Sequence, residues 1–133
     1  MKIDIVSFGN KFENTQNGDV KYSKEYSDDG QLLSKKAWQT STNKPLKIER
    51  YDSNGDVFEI QEFSYSHNKT VEHYKNNNQE YTRTITKEIN DGVNHIKEVF
   101  ISKTTPKNNY ITETLRDMAG KLVQIIHNGK PLL

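Results

Sequence analysis

Apolar and polar residues alternate along short runs of this chain, and clusters of turn-forming residues separate the runs. In the segment YTRTITKEI, strand-like alternation puts Tyr81, Ile85 and Ile89 on one face, together with Arg83 and Lys87. The intervening threonines fall on the other face, and threonine and isoleucine both suit a pleated surface. The pattern therefore predicts β-strands rather than helices.

Clusters rich in asparagine, aspartate and glycine lie between these runs: QNGD at 16, SDDG at 27, DSNG at 52, NNN at 76, NDG at 90, PKNN at 106, AG at 119 and NG at 128. Asparagine and glycine accept the positive φ that tight hairpin turns require. Strands joined in sequence order by tight turns form an antiparallel meander. We therefore predict one all-β domain, residues 1–133, of about eight to ten strands of ordinary length. It would be an open twisted sheet, a sandwich or a partly closed barrel.

A loose internal repeat runs through the chain. EYSDDGQLLSKKAW from Glu25 and RYDSNGDVFEIQEF from Arg50 share a tyrosine, a polar turn, a glycine and two apolar residues. Looser copies begin at His73 and Thr114. Such repetition is typical of stacked hairpins, each covering its neighbour.

The segment Tyr51-Asp52-Ser53-Asn54-Gly55, and more loosely residues 26–30, resembles the tyrosine-aspartate repeats of bacterial wall-associated and toxin-delivery proteins. This resemblance covers about half of the chain. It implies β-hairpins that continue into a large sheet, and a bacterial, toxin-related setting.

Composition narrows the possible functions. Basic and acidic residues, 19 and 18, are mixed along the chain for a formal charge of +1, which gives no long-range field for nucleic acid or anionic membranes. There is no cysteine, so disulfides and thiol chemistry are excluded. No apolar run has the length of a signal peptide core or a membrane helix. With Met1 as the natural start, we expect a cytoplasmic protein that binds neither nucleic acid nor membranes.

The DSNGD segment from Asp52 has the ligand order of a calcium loop. Such loops carry glycine at the sixth position and a bidentate glutamate at the twelfth, which here are Val57 and Phe63. The sequence therefore favours a hairpin turn, and we assign no metal and no cofactor.

Catalytic motifs are weak in this chain. It has neither the Gly-x-Ser-x-Gly elbow nor a glycine-rich phosphate loop, so we assign no catalytic residue. His73 and His95 could meet across neighbouring strands as metal ligands or as a general base. An enzyme, such as a toxin that uses one of these histidines, is therefore a third hypothesis.

The aromatic residues of the central segment suggest binding. In VFEIQEFSY the apolar residues switch faces, which either leaves aromatic residues open for a partner or reflects sandwich packing or a bulge that resets the register. We favour an inhibitor of another protein, most concretely a bacterial immunity protein that occludes the active site of a cognate toxin. The partner-binding residues predicted are aromatic anchors and carboxylates that would pair with a basic cleft: Trp38, Phe63, Tyr65, Tyr74, Asp56, Glu59 and Glu62.

The alternative from another functional class is a secreted or surface β-module. It would bind carbohydrate by stacking sugars on the same aromatic residues, or would assemble through the edges of its sheet.

Overall fold

The structure is a computed structural model that describes residues 2–5 and 9–132, and it confirms the all-β antiparallel meander. The described part contains twelve strands and one short 3-10 helix, Pro106–Asn108. The two terminal strands have four and two residues, shorter than the strands expected from turn spacing, and they raise the count above eight to ten. The strands are β1 Lys2–Ile5, β2 Lys11–Asn17, β3 Val20–Tyr26, β4 Leu32–Gln39, β5 Pro45–Tyr51, β6 Val57–Ser66, β7 Lys69–Asn76, β8 Glu80–Asn90, β9 Val93–Ser102, β10 Tyr110–Asp117, β11 Leu122–His127 and β12 Lys130–Pro131.

The strands follow one another in the sheet in the order of the sequence, from β1 to β12. The sheet is not closed, because β1 and β12 stand at the two ends of this order. The contacts between residues group the chain into two compact units. Unit 1 holds Met1–Phe63 and Tyr74–Asn77, and unit 2 holds Ser64–His73 and Asn78–Leu133. The prediction of one domain over residues 1–133 stays a prediction.

The DSNGD segment is the turn between β5 and β6. Asp52 N donates to Asp56 O at 2.9 Å, and Gly55 N donates to Asp52 O at 3.0 Å. One carboxylate oxygen of Asp52 accepts from the backbone N–H groups of Asn54 and Asp56, at 2.9 and 3.0 Å. Gly55 has a φ of +83°, a conformation that an L-residue adopts only at a cost.

Two other hairpins repeat this turn geometry. Ser27 N donates to Gln31 O at 2.8 Å, and Asp117 N donates to Lys121 O at 2.9 Å, each around a glycine at positive φ. In all three hairpins the strand register shifts by one residue just after the turn. In each hairpin two apolar residues begin the second strand. The second of them is skipped by the register shift and has no residue directly opposite on the first strand: Leu33, Phe58 or Val123. In β6 this bulge separates Val57 from Phe58, whereas the register is regular from Glu59 to Glu62, so the bulge does not explain the switch of apolar residues from Ile60 to Phe63.

Burial is shallow throughout the described sheet. Among residues 9–132 no hydrophobic side chain is buried, and the buried residues are Ser34 and Ser102. Most strand residues are instead partly covered by their cross-strand neighbours, which stabilise a sheet pair by pair. In the described ranges, no helix has the length and apolar character needed to cross a membrane.

Candidate binding surfaces

A hydrogen-bonded carboxylate organises one face of unit 1. Glu59 lies directly opposite Arg50 on the neighbouring strand, and Arg50 Nη1 donates to Glu59 Oε1. Tyr74 OH donates to the other oxygen, Glu59 Oε2, at 2.7 Å, and in turn accepts from Asn76 Nδ2 at 3.0 Å. Both carboxylate oxygens are therefore held in place by neighbouring side chains before any partner binds.

These contacts favour the charged form of the carboxylate. The hydrogen bond from Tyr74, followed by that from Arg50, lowers the pKa of Glu59 below its usual 4.5 against the opposing effect of burial. The same hydrogen bond raises the pKa of Tyr74, because the phenol would lose it on ionisation. Glu59 is thus a fixed negative charge, with its side chain 20% exposed.

Four of the predicted partner-binding residues share this face. Ser34, Arg50 and Glu59 are directly paired across β4, β5 and β6, so their side chains point the same way. Trp38 lies four residues beyond Ser34 on β4, and Phe63 lies four residues beyond Glu59 on β6, which keeps both on that face. Tyr74 joins them through its contact with Glu59, and all four are partly exposed. We call Trp38, Glu59, Phe63 and Tyr74 the Trp38 face.

The other three predicted residues lie elsewhere. Glu62 is an odd number of residues from Glu59 on β6, so it points to the opposite face, where it pairs in register with Lys47. Asp56 is exposed in the turn, and Tyr65 belongs to unit 2. Burial and the charge of Glu72 raise the pKa of the Tyr65 phenol. The three predicted carboxylates therefore do not converge on one surface.

Unit 2 carries a row of rings that the sequence interpretation missed. Phe100 lies directly opposite Arg83 on β8 and Tyr110 on β10. Ring centroids are 4.8 Å apart for Tyr81 and Phe100, 5.1 Å for Phe100 and Tyr110, and 5.9 Å for Tyr110 and His127. We call Tyr81, Phe100, Tyr110 and His127 the aromatic row.

The rings of the aromatic row stand upright on the sheet. Phe100 and Tyr110 are within 7° of parallel, and their separation is close to the spacing of neighbouring strands. Tyr81 covers the other side of Phe100 at a tilt of 36°. The faces of Phe100 are thus occupied by neighbouring rings, and sugar stacking, which needs an open ring face, finds none on Phe100.

Charged groups fix the row in place. The Arg83 guanidinium lies 5.7 Å from the Tyr81 centroid and 5.9 Å from that of Phe100. Its nitrogens are 3.4 Å from Glu72 and 3.8 Å from Glu98. Tyr110 OH donates to Glu98, and this hydrogen bond raises the pKa of Tyr110. The rings and charges pack as one half-buried layer on this face of unit 2.

His73 and His95 do not meet, because they lie on β7 and β9 with β8 between them. His73 Nε2 is 3.2 Å from Glu80, and His73 Nδ1 is 3.2 Å from Thr82 Oγ1. His95 Nε2 is 3.4 Å from Glu113 at a cavity of about 280 Å³. Across residues 2–5 and 9–132, no three histidine, aspartate or glutamate side chains are grouped so that they could hold a metal ion.

Comparison of the chain with protein-family models, with curated proteins and with solved structures found no match.

Proposed function

We propose that the chain is a protein-binding inhibitor whose Trp38 face occludes a functional surface of its target. The observation that supports this most is that Trp38, Phe63 and Tyr74 lie on the same face as the fixed charge of Glu59, which Tyr74 contacts directly. Tryptophan and tyrosine are enriched among the few residues that carry most of the binding energy of an interface. A side chain ordered before binding loses less entropy when the complex forms.

Glu59 can take part in this binding without giving up its present contacts. A carboxylate accepts about four hydrogen bonds, and here Arg50 and Tyr74 each occupy one position. An arginine or lysine of the target can use the remaining lone pairs. The target surface that fits this face is therefore apolar, with a basic group opposite Glu59.

The specific form of the proposal is a bacterial immunity protein that neutralises a cognate toxin. Its support is the resemblance of Tyr51-Asp52-Ser53-Asn54-Gly55 to the repeats of toxin-delivery proteins, together with the mixed charge and small size of the chain. In this form, inhibition is steric, because a preformed sheet surface covers the active site and takes no part in chemistry.

The test is co-purification with the product of the neighbouring gene, followed by calorimetric titration. We expect a complex with a dissociation constant below micromolar, and loss of about 2 kcal/mol of binding free energy for Trp38→Ala, as at a hot spot. Ile101→Ala is the matched control, since Ile101 is an exposed apolar residue of unit 2. No binding at micromolar concentration, or equal losses for both variants, contradicts the proposal.

A further inference from the structure

The face of unit 1 opposite the Trp38 face contains a groove. Its cavity of about 220 Å³ lies over β3, β4 and β5. The lining on this face comes from two neighbouring rows of directly paired residues. One row is Tyr22, Ala37 and Lys47, and the other is Lys24, Lys35 and Glu49.

The depression exists because an alanine occupies its centre. Ala37 lies between the longer side chains of Tyr22 and Lys47, and the chain has only one other alanine, Ala119. The Tyr22 ring and the aliphatic stems of the lysines form walls with apolar surface, while their ammonium groups reach the rim. The groove therefore combines an apolar floor with a rim on which Lys24, Lys35 and Lys47 outnumber the one carboxylate of the lining, Glu49.

One pair of charges at the rim is unfavourable in the isolated sheet, although Lys35 also lies directly opposite Glu49 on β5. Lys24 and Lys35 lie directly opposite one another, and like charges at such positions are destabilising. Lys24 Nζ is 4.0 Å from Glu13, at the outer limit of an ion pair, and Lys35 Nζ is 5.6 Å from the Tyr51 centroid. Within the described residues, Lys47 makes no ion pair, although Glu62 is its partner in register. Carboxylates placed at this rim would relieve the repulsion between the lysines.

The size of the groove limits what it can hold. Pockets for small-molecule ligands usually measure about 300–1,000 Å³, larger than this cavity. A single large side chain, inserted as an anchor from a partner protein, suits the smaller volume.

We propose that this groove binds an acidic segment of a partner protein, with one aromatic or large aliphatic side chain over Ala37 and carboxylates beside Lys24, Lys35 and Lys47. This inference goes beyond the proposed function, because it concerns the other face of unit 1 and a segment of opposite charge.

The two alanines provide a direct test. In protein labelled with carbon-13 on alanine methyl groups, Ala37 reports the groove and Ala119, in unit 2, serves as the internal reference. The probe is a capped peptide with one phenylalanine between two pairs of aspartates. We expect it to shift the Ala37 methyl signal without moving that of Ala119, and to bind more weakly at high salt. Matched peptides with asparagine for aspartate, or alanine for phenylalanine, should leave Ala37 unmoved at the same concentration.

Variants test the lysines separately. Lys35→Gln and Lys47→Gln should each lower the affinity for the peptide by about threefold, as expected for the loss of an exposed charge pair. Lys21→Gln, on the Trp38 face, should leave the affinity unchanged. Ala37→Leu should abolish binding by filling the groove, and the two lysine variants keep the test valid if that substitution disturbs folding.

An unmoved Ala37 signal at millimolar peptide, equal binding of the asparagine peptide, or an equal effect of Lys21→Gln overturns the inference. Equal binding of the peptide with alanine for phenylalanine also overturns the inference, because it shows that the lysines bind anions without an apolar anchor. A toxin that binds the Trp38 face while the peptides fail leaves the proposed function standing and removes only this inference.

Discussion

Replacement of Phe100 by leucine tests whether ring contacts stabilise unit 2. Leucine keeps most of the apolar surface but loses the contacts with Tyr81 and Tyr110, at 4.8 and 5.1 Å. Aromatic pairs contribute about 0.5–1.5 kcal/mol each beyond burial, so the two lost pairs predict a destabilisation of about 1–3 kcal/mol. Phe58→Leu is the matched control, because Phe58 is 37% exposed and has no ring contact among the described residues. We expect it to cost less than about 0.5 kcal/mol.

Urea unfolding followed by far-ultraviolet circular dichroism gives the two free-energy differences. Hydrogen exchange of the β9 amides shows whether the loss is in unit 2. A double-mutant cycle with Tyr110→Leu then isolates one ring pair from the hydrogen bond of the Tyr110 hydroxyl, with an expected coupling of about 0.5–1.5 kcal/mol. A coupling below about 0.3 kcal/mol, which is within the additivity error of independent sites, refutes the reasoning.

Substitutions at three further positions, Gly55, Asp117 and Glu59, test the turns and the fixed carboxylate, all by denaturation. Gly55→Ala should lower the free energy of unfolding by about 1–2 kcal/mol, because φ at Gly55 is +83° while the space around an added Cβ is open. Gly55→Asn should lower it less, because asparagine accepts positive φ more readily. Equal losses for the two variants would contradict this backbone explanation. Asp117→Ala should cost about 1 kcal/mol by removing the acceptor for the N–H groups of Ala119 and Lys121, whereas Asp56→Ala should be nearly neutral. The lowered pKa of Glu59 means that its stabilising contribution is complete above pH 4.5 and is lost as the pH falls through the lower folded-state pKa. Glu59→Gln should therefore reduce stability at pH 7 and flatten the decline below pH 4.5; an unchanged acid dependence would contradict this.

Part of the aromatic row could be predicted from the sequence. Alternation placed Tyr81 and Arg83 on one face, and the register between β8 and β9 follows from the two-residue turn at Asp91 and Gly92. Both residues have positive φ, as hairpins of this kind require. Counting outward from that turn pairs Arg83 with Phe100, so the second ring could have been found.

Tyr110 could not be found in this way. Between β9 and β10 the chain passes through residues 103–109, including the 3-10 helix Pro106–Asn108, and a connection of this length does not set the register. The Trp38 face has the same limitation, because the β4–β5 register shifts at Trp38 and the β5–β6 register shifts at Tyr51. The local pattern thus predicts which segments form strands. The cross-strand neighbours of each side chain depend on the strand register, which irregular turns do not set.

The way in which the sheet is stabilised also limits how far a substitution can act. Strands pair with their neighbours in sequence, and among residues 9–132 no buried hydrophobic cluster connects distant segments. Stability is then close to a sum of cross-strand terms, each affecting its own neighbourhood, as in repeat proteins. The unfolding of unit 1, followed by the fluorescence of the single tryptophan, Trp38, should therefore be insensitive to Phe100→Leu.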